Sequence, residues 1–261
     1  MSNRVVITGM GIWSCLGYDL DTVRQSLYDG KSGIVIDPVR QELGFRSPLT
    51  SFVEKPDLKK LVARNMRAFM SEEAQYAYMA TRQALEQANL TQVDIDQREV
   101  GLLYGNDSTA KSTYEAVSKI YEYKSTQSCG SGAIFQSMCS NTTQCLATLF
   151  HLKGINLTTA GACASGSHAL GLAYLLIKDG LQDIIIAGGA QEVNPECMGS
   201  FDGIQAFSDR VDEPTKASRP FDRDRNGLVP GGGGATLIVE SLDHALARGA
   251  KPIAEIIGWG F

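Results

Sequence analysis

The pattern that most restricts this chain is the alternation of short β-branched runs with longer amphipathic stretches, which is the mark of α/β units. It predicts strands over residues 4–9, 100–104, 156–159, 183–187, 235–240 and 253–258. Helices are expected over 21–28, closed by Gly30, over 72–87, over 142–152 followed by Gly154, and over 164–178 closed by Gly180. The polar, mixed stretch 107–136 reads as a partly helical excursion. No repeat, heptad, low-complexity block or linker divides the chain, so residues 1–261 form one domain or most of one. The last predicted strand is followed by no polar tail, and the chain is expected to continue past it.

Composition removes several function classes. Twenty-four Lys and Arg against 29 Asp and Glu leave a net charge of −5, a poor bulk field for nucleic acid. No apolar run approaches the roughly 18 residues of a membrane span. The N-terminus, Arg4-Val5-Val6-Ile7-Thr8-Gly9, reads as a strand running into a glycine turn and lacks the apolar core of a secretory signal. The six cysteines form no C-x-x-C pair and no metal-ligand spacing with histidine. Reduced thiols in a cytoplasmic protein, with no bound metal, are the expectation.

The segment from Leu157 to His168 holds the most chemistry: a β-run ends in small residues, Cys163 follows, and an Ala/Leu-rich helix begins. The unpaired N–H groups and dipole of a helix start favour an anion, and the thiolate is the reactive form of cysteine. Two readings stay open, a reactive thiol and a small core cysteine in a tight turn. A nucleophilic cysteine normally needs a base, yet none of the three histidines suits Cys163. His168 sits about 140° round the same helix at roughly 3.6 residues per turn. His244 reads as part of a surface helix, and His151 as a helix C-terminal residue.

Gly9-Met10-Gly11-Ile12-Trp13-Ser14 breaks the dinucleotide fingerprint at Ser14, so tight packing explains its glycines better. Gly231 to Gly234 lacks the Lys-Ser/Thr of a phosphate loop and reads as a place where two backbones cross closely. Lys59, Lys60, Arg64 and Arg67, with Arg46 upstream, form a basic cluster that is either a solvated face or a dock for an acidic partner.

Four separated blocks resemble the β-ketoacyl-acyl carrier protein synthases, the condensing enzymes of fatty acid and polyketide synthesis. They are Arg4 to Gly11, Ala162 to His168, Ile184 to Gly189, and Ala217 to Asp222 continuing into Arg225 to Val229 and the glycine run. The run together with Leu242 to Lys251 looks most like the synthase I branch. The resemblance implies a thiolase-like fold, layered αβαβα, here its first half and the start of its second, usually in a homodimer or in a heterodimer with a related synthase. It makes Cys163 the acyl acceptor from carrier phosphopantetheine, with its backbone N–H as half of an oxyanion hole. It also implies decarboxylative condensation with malonyl-carrier protein, with no cofactor beyond that carrier arm. Phe201 resembles the family's pocket-wall phenylalanine. Asn106, Asp107 and Ser108 occupy the stretch lining the bottom of the acyl pocket, where the family often has glycines. An unpaired carboxylate there is costly, which points to a polar, short or polyunsaturated substrate. The family's two catalytic histidines and a lysine belong to His-Gly-Thr and Asn-x-x-Phe-Gly-Phe-Gly-Gly blocks of its second half, absent from these 261 residues. Two rivals follow. A non-catalytic chain-length or dimerisation partner typically replaces the cysteine, and a CoA-using thiolase fits Ser218 to Asp222 and the basic cluster poorly.

Overall fold

A computed structural model describes residues 2–260. In chain order it contains β1 (Val5–Trp13), α1 (Leu20–Tyr28), β2 (Ile34–Ile36), α2 (Pro38–Glu42), β3 (Leu49–Ser51), α3 (Arg64–Arg67), α4 (Glu72–Gln87) and α5 (Gln92–Asp96). These are followed by β4 (Gly101–Gly105), α6 (Ala110–Tyr123), α7 (Ala133–Gln136), α8 (Asn141–Leu149), β5 (Asn156–Thr159) and α9 (Ser165–Lys178). The last elements are β6 (Ile184–Gln191), α10 (Pro195–Gly203), β7 (Gly233–Ser241), α11 (Leu242–Ala247) and β8 (Ala254–Ile256).

Six strands form one mixed sheet in the order β5-β4-β6-β7-β1-β8. Strand β4 runs parallel to β5 and β6, whereas β7 is antiparallel to β6 and β1. The Ile184-Ile185-Ile186-Ala187 run is apolar throughout because both faces of its strand are covered. Ile184 and Ile186 join the core under α4 and α8, while Ile185 and Ala187 join the core under α9. The result is helix, sheet, helix, with β2 and β3 as a separate two-stranded sheet.

Several boundaries depart from the sequence expectation, each for a packing reason. β1 does not turn at Gly9 but continues to Trp13. Gly9 and Gly11 lie against α4, where a Cβ would meet the Ala84 and Ala80 carbonyls. The helix expected over 142–152 ends at Leu149, and His151, with φ 55°, takes the left-handed position rather than Gly154. The 107–136 excursion resolves into α6, a 3₁₀ turn over Thr126–Cys129, and α7. The strand expected over 253–258 is shorter, Ala254–Ile256, and joins this sheet beside β1, pairing Val5 with Ile256. Among the described residues no helix is long and apolar enough to cross a membrane.

Candidate active site

Open α/β sheets bind ligands beyond the carboxyl ends of their parallel strands, and Cys163 lies there. Gly105 and Gly189 end or nearly end β4 and β6, and both approach Gly166 at the start of α9. A Cβ at Gly105 would fall 2.3 Å from Gly166 N, so only glycine lets the helix start sit this close to the strand. On the opposite wall Gly233 has φ 133° and crosses β1 so closely that a Cβ would lie 2.5 Å from the Trp13 carbonyl. The close backbone crossing expected of the four-glycine run is therefore present. Between these walls is a cleft of about 350 Å³ lined by Trp13, Asn106, Asp107, Cys163, Gln191 and the run Gly231 to Gly234, among others.

The turn that presents Cys163 is held locally. Ser165 Oγ accepts from Gly161 N at 2.9 Å and donates to the Ala162 carbonyl at 2.7 Å. Thr159 Oγ1 donates to the Ser165 carbonyl at 2.9 Å. This fold of the chain puts Ala162 at φ 49°, left-handed for a residue with a Cβ, immediately before the exposed Cys163. Such strain persists only where surrounding bonds over-determine it. Helix α9 starts at Ser165, two residues later, and its N-cap, Ala164, supplies no side-chain acceptor. The Ala164 and Ser165 amides are closed by the Gly161 and Ala162 carbonyls, each at 3.1 Å, and Ser165 and Gly166 line the cleft beside Cys163. The core-cysteine reading of Cys163 does not survive its exposure. The thiol that fits it is Cys145, pushed up to about 12 by burial and by nearby Glu73, while half-buried Cys197 is also raised by burial and by Glu192.

Asp107 is exposed and forms a sill between the Cys163 cleft and a neighbouring one of about 520 Å³ along α6. An exposed carboxylate escapes the desolvation cost that the sequence reading assigned to it. Ser108 is half-buried and donates its Oγ to Glu192 Oε1 at 2.7 Å. The carboxyls actually buried here are Glu73 and Glu192, with 0% and 1% exposure, which sequence reasoning missed. Acidic residues in the first turn of a helix read as a solvated cap, so Glu73 sent no signal of burial. Phe201 is not among the residues lining the cleft; it sits on α10, 46% exposed, stacked on Phe207 with ring centroids 6.1 Å apart.

The basic cluster divides. Lys59, Lys60 and Arg64 are exposed. Arg67 is half-buried and donates to the Val62 and Lys59 carbonyls at 2.8 and 3.1 Å. Arg46 is committed to Asp209 at 2.7 Å and to the Phe207 carbonyl, while its backbone N–H donates to Asp202. Loop geometry, invisible in sequence, turns these two arginines into braces. The histidines stand apart: His151 pairs with Asp96 at 3.4 Å, His168 packs edge-on against Trp259, and none of the three lines the cleft. His244 is no idle surface residue, since its Nδ1 lies 2.6 Å from buried Glu240. Among the described residues no group of three His, Cys, Asp or Glu could hold a metal.

Comparison with known proteins adds a family. Residues 2–245 match the family described as Beta-ketoacyl synthase, N-terminal domain. The chain is 39% identical over 259 residues to 3-oxoacyl-[acyl-carrier-protein] synthase 1 of Haemophilus influenzae, covering 98% of this chain and 64% of that protein. It thus spans just under two thirds of the curated relative it matches. A crystal structure of a beta-ketoacyl synthase from Burkholderia phymatum superposes with a TM-score of 0.89 at 34% identity, over 98% of this chain and 63% of that one. A type II polyketide synthase acyl-carrier protein in complex with its ketosynthase bound to the hexaketide gives 0.83 at 28% identity, over 98% and 62%.

Proposed function

The chain belongs to the β-ketoacyl synthase family, and we propose that Cys163 is the nucleophile accepting an acyl group from a carrier protein. The observation that carries this is the exposed thiol in a strained turn, two residues before the start of α9, inside the cleft. In the first step the Cys163 sulfur adds to the thioester carbonyl of the acyl-phosphopantetheine. The oxyanion forms against backbone N–H groups of the turn, the Cys163 N–H among them. The carbonyl–sulfur bond to the carrier arm then breaks, freeing the carrier thiol and leaving an acyl-Cys163 thioester. In the second step malonyl-carrier protein loses CO₂, and its carbanion attacks that thioester to make the β-ketoacyl product and return the thiol. The sequence carries no cofactor-binding fingerprint, and the carrier arm would be the only prosthetic group required.

His151, His168 and His244 lie outside the cleft lining, so the condensation step rests on a polypeptide that also carries the family's two histidine blocks. By itself this 261-residue sequence is expected to stop at the acyl-enzyme. The test is to incubate the chain with an acyl-carrier protein thioester and measure its intact mass, then map the modified peptide. A mass increase of one acyl group located at Cys163 supports the proposal. Acylation only at Cys139, the other exposed thiol, defeats it.

Docking is assigned to Lys59, Lys60 and Arg64, the members of the basic cluster that remain exposed. Reversing all three to glutamate should weaken carrier-protein binding about tenfold at low salt, at roughly 0.5 kcal/mol per exposed pair. The difference should shrink as added salt screens it. A titration that shows equal affinity at low salt would return these residues to a solvated face. The exposed edge strand β5 supports assembly with a second copy or a related synthase, and six free cysteines suit a reducing, cytoplasmic setting.

A further inference from the structure

Behind the cleft wall formed by Asn106 lie two buried carboxyl groups from distant parts of the chain. Asn106 is itself fully buried, and its Nδ2 donates to the Cys139 carbonyl at 2.9 Å and to Glu73 Oε1 at 3.3 Å. Four residues on, Ala110 N and Ser108 Oγ both donate to Glu192 Oε1, at 2.6 and 2.7 Å. Residues 106–110 are thus held from one side by the start of α4 and from the other by the turn after β6.

The two carboxyls are not equivalent. Glu192 receives donors on both oxygens, since Asn194 Nδ2 donates to its Oε2 at 2.7 Å. Glu73 Oε1 also accepts from Ser71 Oγ at 2.7 Å, but its Oε2 is buried with no partner. A carboxylate oxygen cut off from water and donors is costly, whereas a neutral carboxyl is not. We propose that Glu73 is a positioning residue. Acting through Asn106 and opposite Glu192, it spares the inner wall of the Cys163 cleft a second negative charge and keeps it closed to water, and its ionisation remodels that wall. The inference rests on the reading of this cleft as an acyl site and adds a pH-sensitive control of which chains it accepts.

The surroundings support that division. Burial, with the neighbouring charge of Glu192, pushes Glu73 up to about 7. On its own helix Glu72 is engaged by Val193 N, and Tyr76 is raised mainly by burial. From α8 comes Cys145, from the turn after β6 Glu192, and from α10 Cys197, both thiols raised by burial. Strands β1 and β6 bring no ionisable side chain, and Glu240 of β7 is in register with Ile184 at the far end of the sheet. The cation beyond Glu192 is Arg40, already bound to the Leu49 and Val193 carbonyls. No cation in this set is placed to neutralise a second carboxylate, so ionising Glu73 sets two negative charges on one short segment.

The experiment alkylates Cys163 with N-methylmaleimide and N-octylmaleimide, quantified on the Cys163 peptide. Their rate ratio cancels the thiolate fraction and reads how well the cleft hosts an alkyl chain. It needs no acyl transfer, so the proposed enzymatic activity can fail without disturbing it. In the wild type the octyl-to-methyl ratio should fall about tenfold from about pH 6 to about pH 8, the equivalent of one pKa unit of differential interaction. In Glu73→Gln, permanently neutral and nearly isosteric, the ratio should stay flat. A flat wild-type profile, or the same fall in Glu73→Gln, overturns the proposal. Should the variant fail to fold, infrared difference spectroscopy on the wild type decides. A buried protonated carboxyl band that disappears with the midpoint of the ratio supports the proposal, and absence of that band overturns it.

Discussion

Replacing Cys163 with alanine is expected to reduce acyl-enzyme formation by at least about a thousandfold, to the background of the other thiols. Removal of a covalent nucleophile leaves only binding and oxyanion stabilisation, and such losses can reach about 10⁶-fold in well-evolved hydrolases. The fold should tolerate the change, because Cys163 is exposed and the turn is tied by Ser165, Thr159 and Gly161 rather than by the thiol. The control is a melting temperature unchanged within error alongside lost acylation. If Cys163→Ala still takes up one acyl group at the wild-type rate, the nucleophile is elsewhere and the catalytic assignment falls.

The largest expected effect on stability lies at the other end of the sheet. Glu240, fully buried near the end of β7, accepts from Arg248 through both oxygens at 2.5 and 2.8 Å and from the Thr8 hydroxyl, with His244 Nδ1 2.6 Å away. Arg248 also donates to the Ala88 carbonyl at 2.8 Å, so one guanidinium joins β7, α11 and the end of α4. Burial by itself would raise the Glu240 carboxyl, but bonds from Arg248, His244 and Thr8 outweigh it and hold it at about 2. Arg248→Ala strands the buried carboxylate and should cost about 3–5 kcal/mol, measured by urea denaturation at neutral pH. Glu240→Gln in the Arg248→Ala background should recover part of that loss, since it removes the stranded charge.

The same site sets an acid limit. A carboxyl with a depressed folded value stabilises the fold above its ordinary 4.5 and loses that contribution as pH falls towards about 2. Across that window the loss should be about 3 kcal/mol, at 1.36 kcal/mol per unit. In Arg248→Ala the loss on acidification should be smaller or reversed, because protonation then relieves an unpaired charge. Denaturant midpoints at pH 5 and pH 3 that shift equally in both proteins would show that Glu240 does not drive acid unfolding.

Several features of this protein were legible without coordinates. The six main strands and the helices at 72–87 and 164–178 follow from local periodicity, and the structure reproduces them within a few residues. Cys163 stood out because small residues and a helix start surround it in sequence, and those same neighbours build its turn in space. The glycine run was legible as a close crossing because only a missing Cβ permits one. Each of these readings depends on residues a few positions apart, whose geometry the chain's own sterics dictate.

Tertiary structure decided the rest. Arg46 and Arg67 looked interchangeable with Lys59, Lys60 and Arg64 until loop carbonyls and Asp209 engaged them. Glu73 and Asp107 exchanged the roles their sequence contexts suggested: the helix-cap glutamate is buried and the pocket aspartate is exposed. Glu73 meets Asn106 from 33 positions away, and Glu192 meets Ser108 from 84. Periodicity reports which face of an element is apolar, but a charged residue's burial depends on whatever another element brings to the same point. That coincidence is a property of the packed whole, and in this chain it separates the thiol, readable in one line of sequence, from the carboxyls behind its cleft.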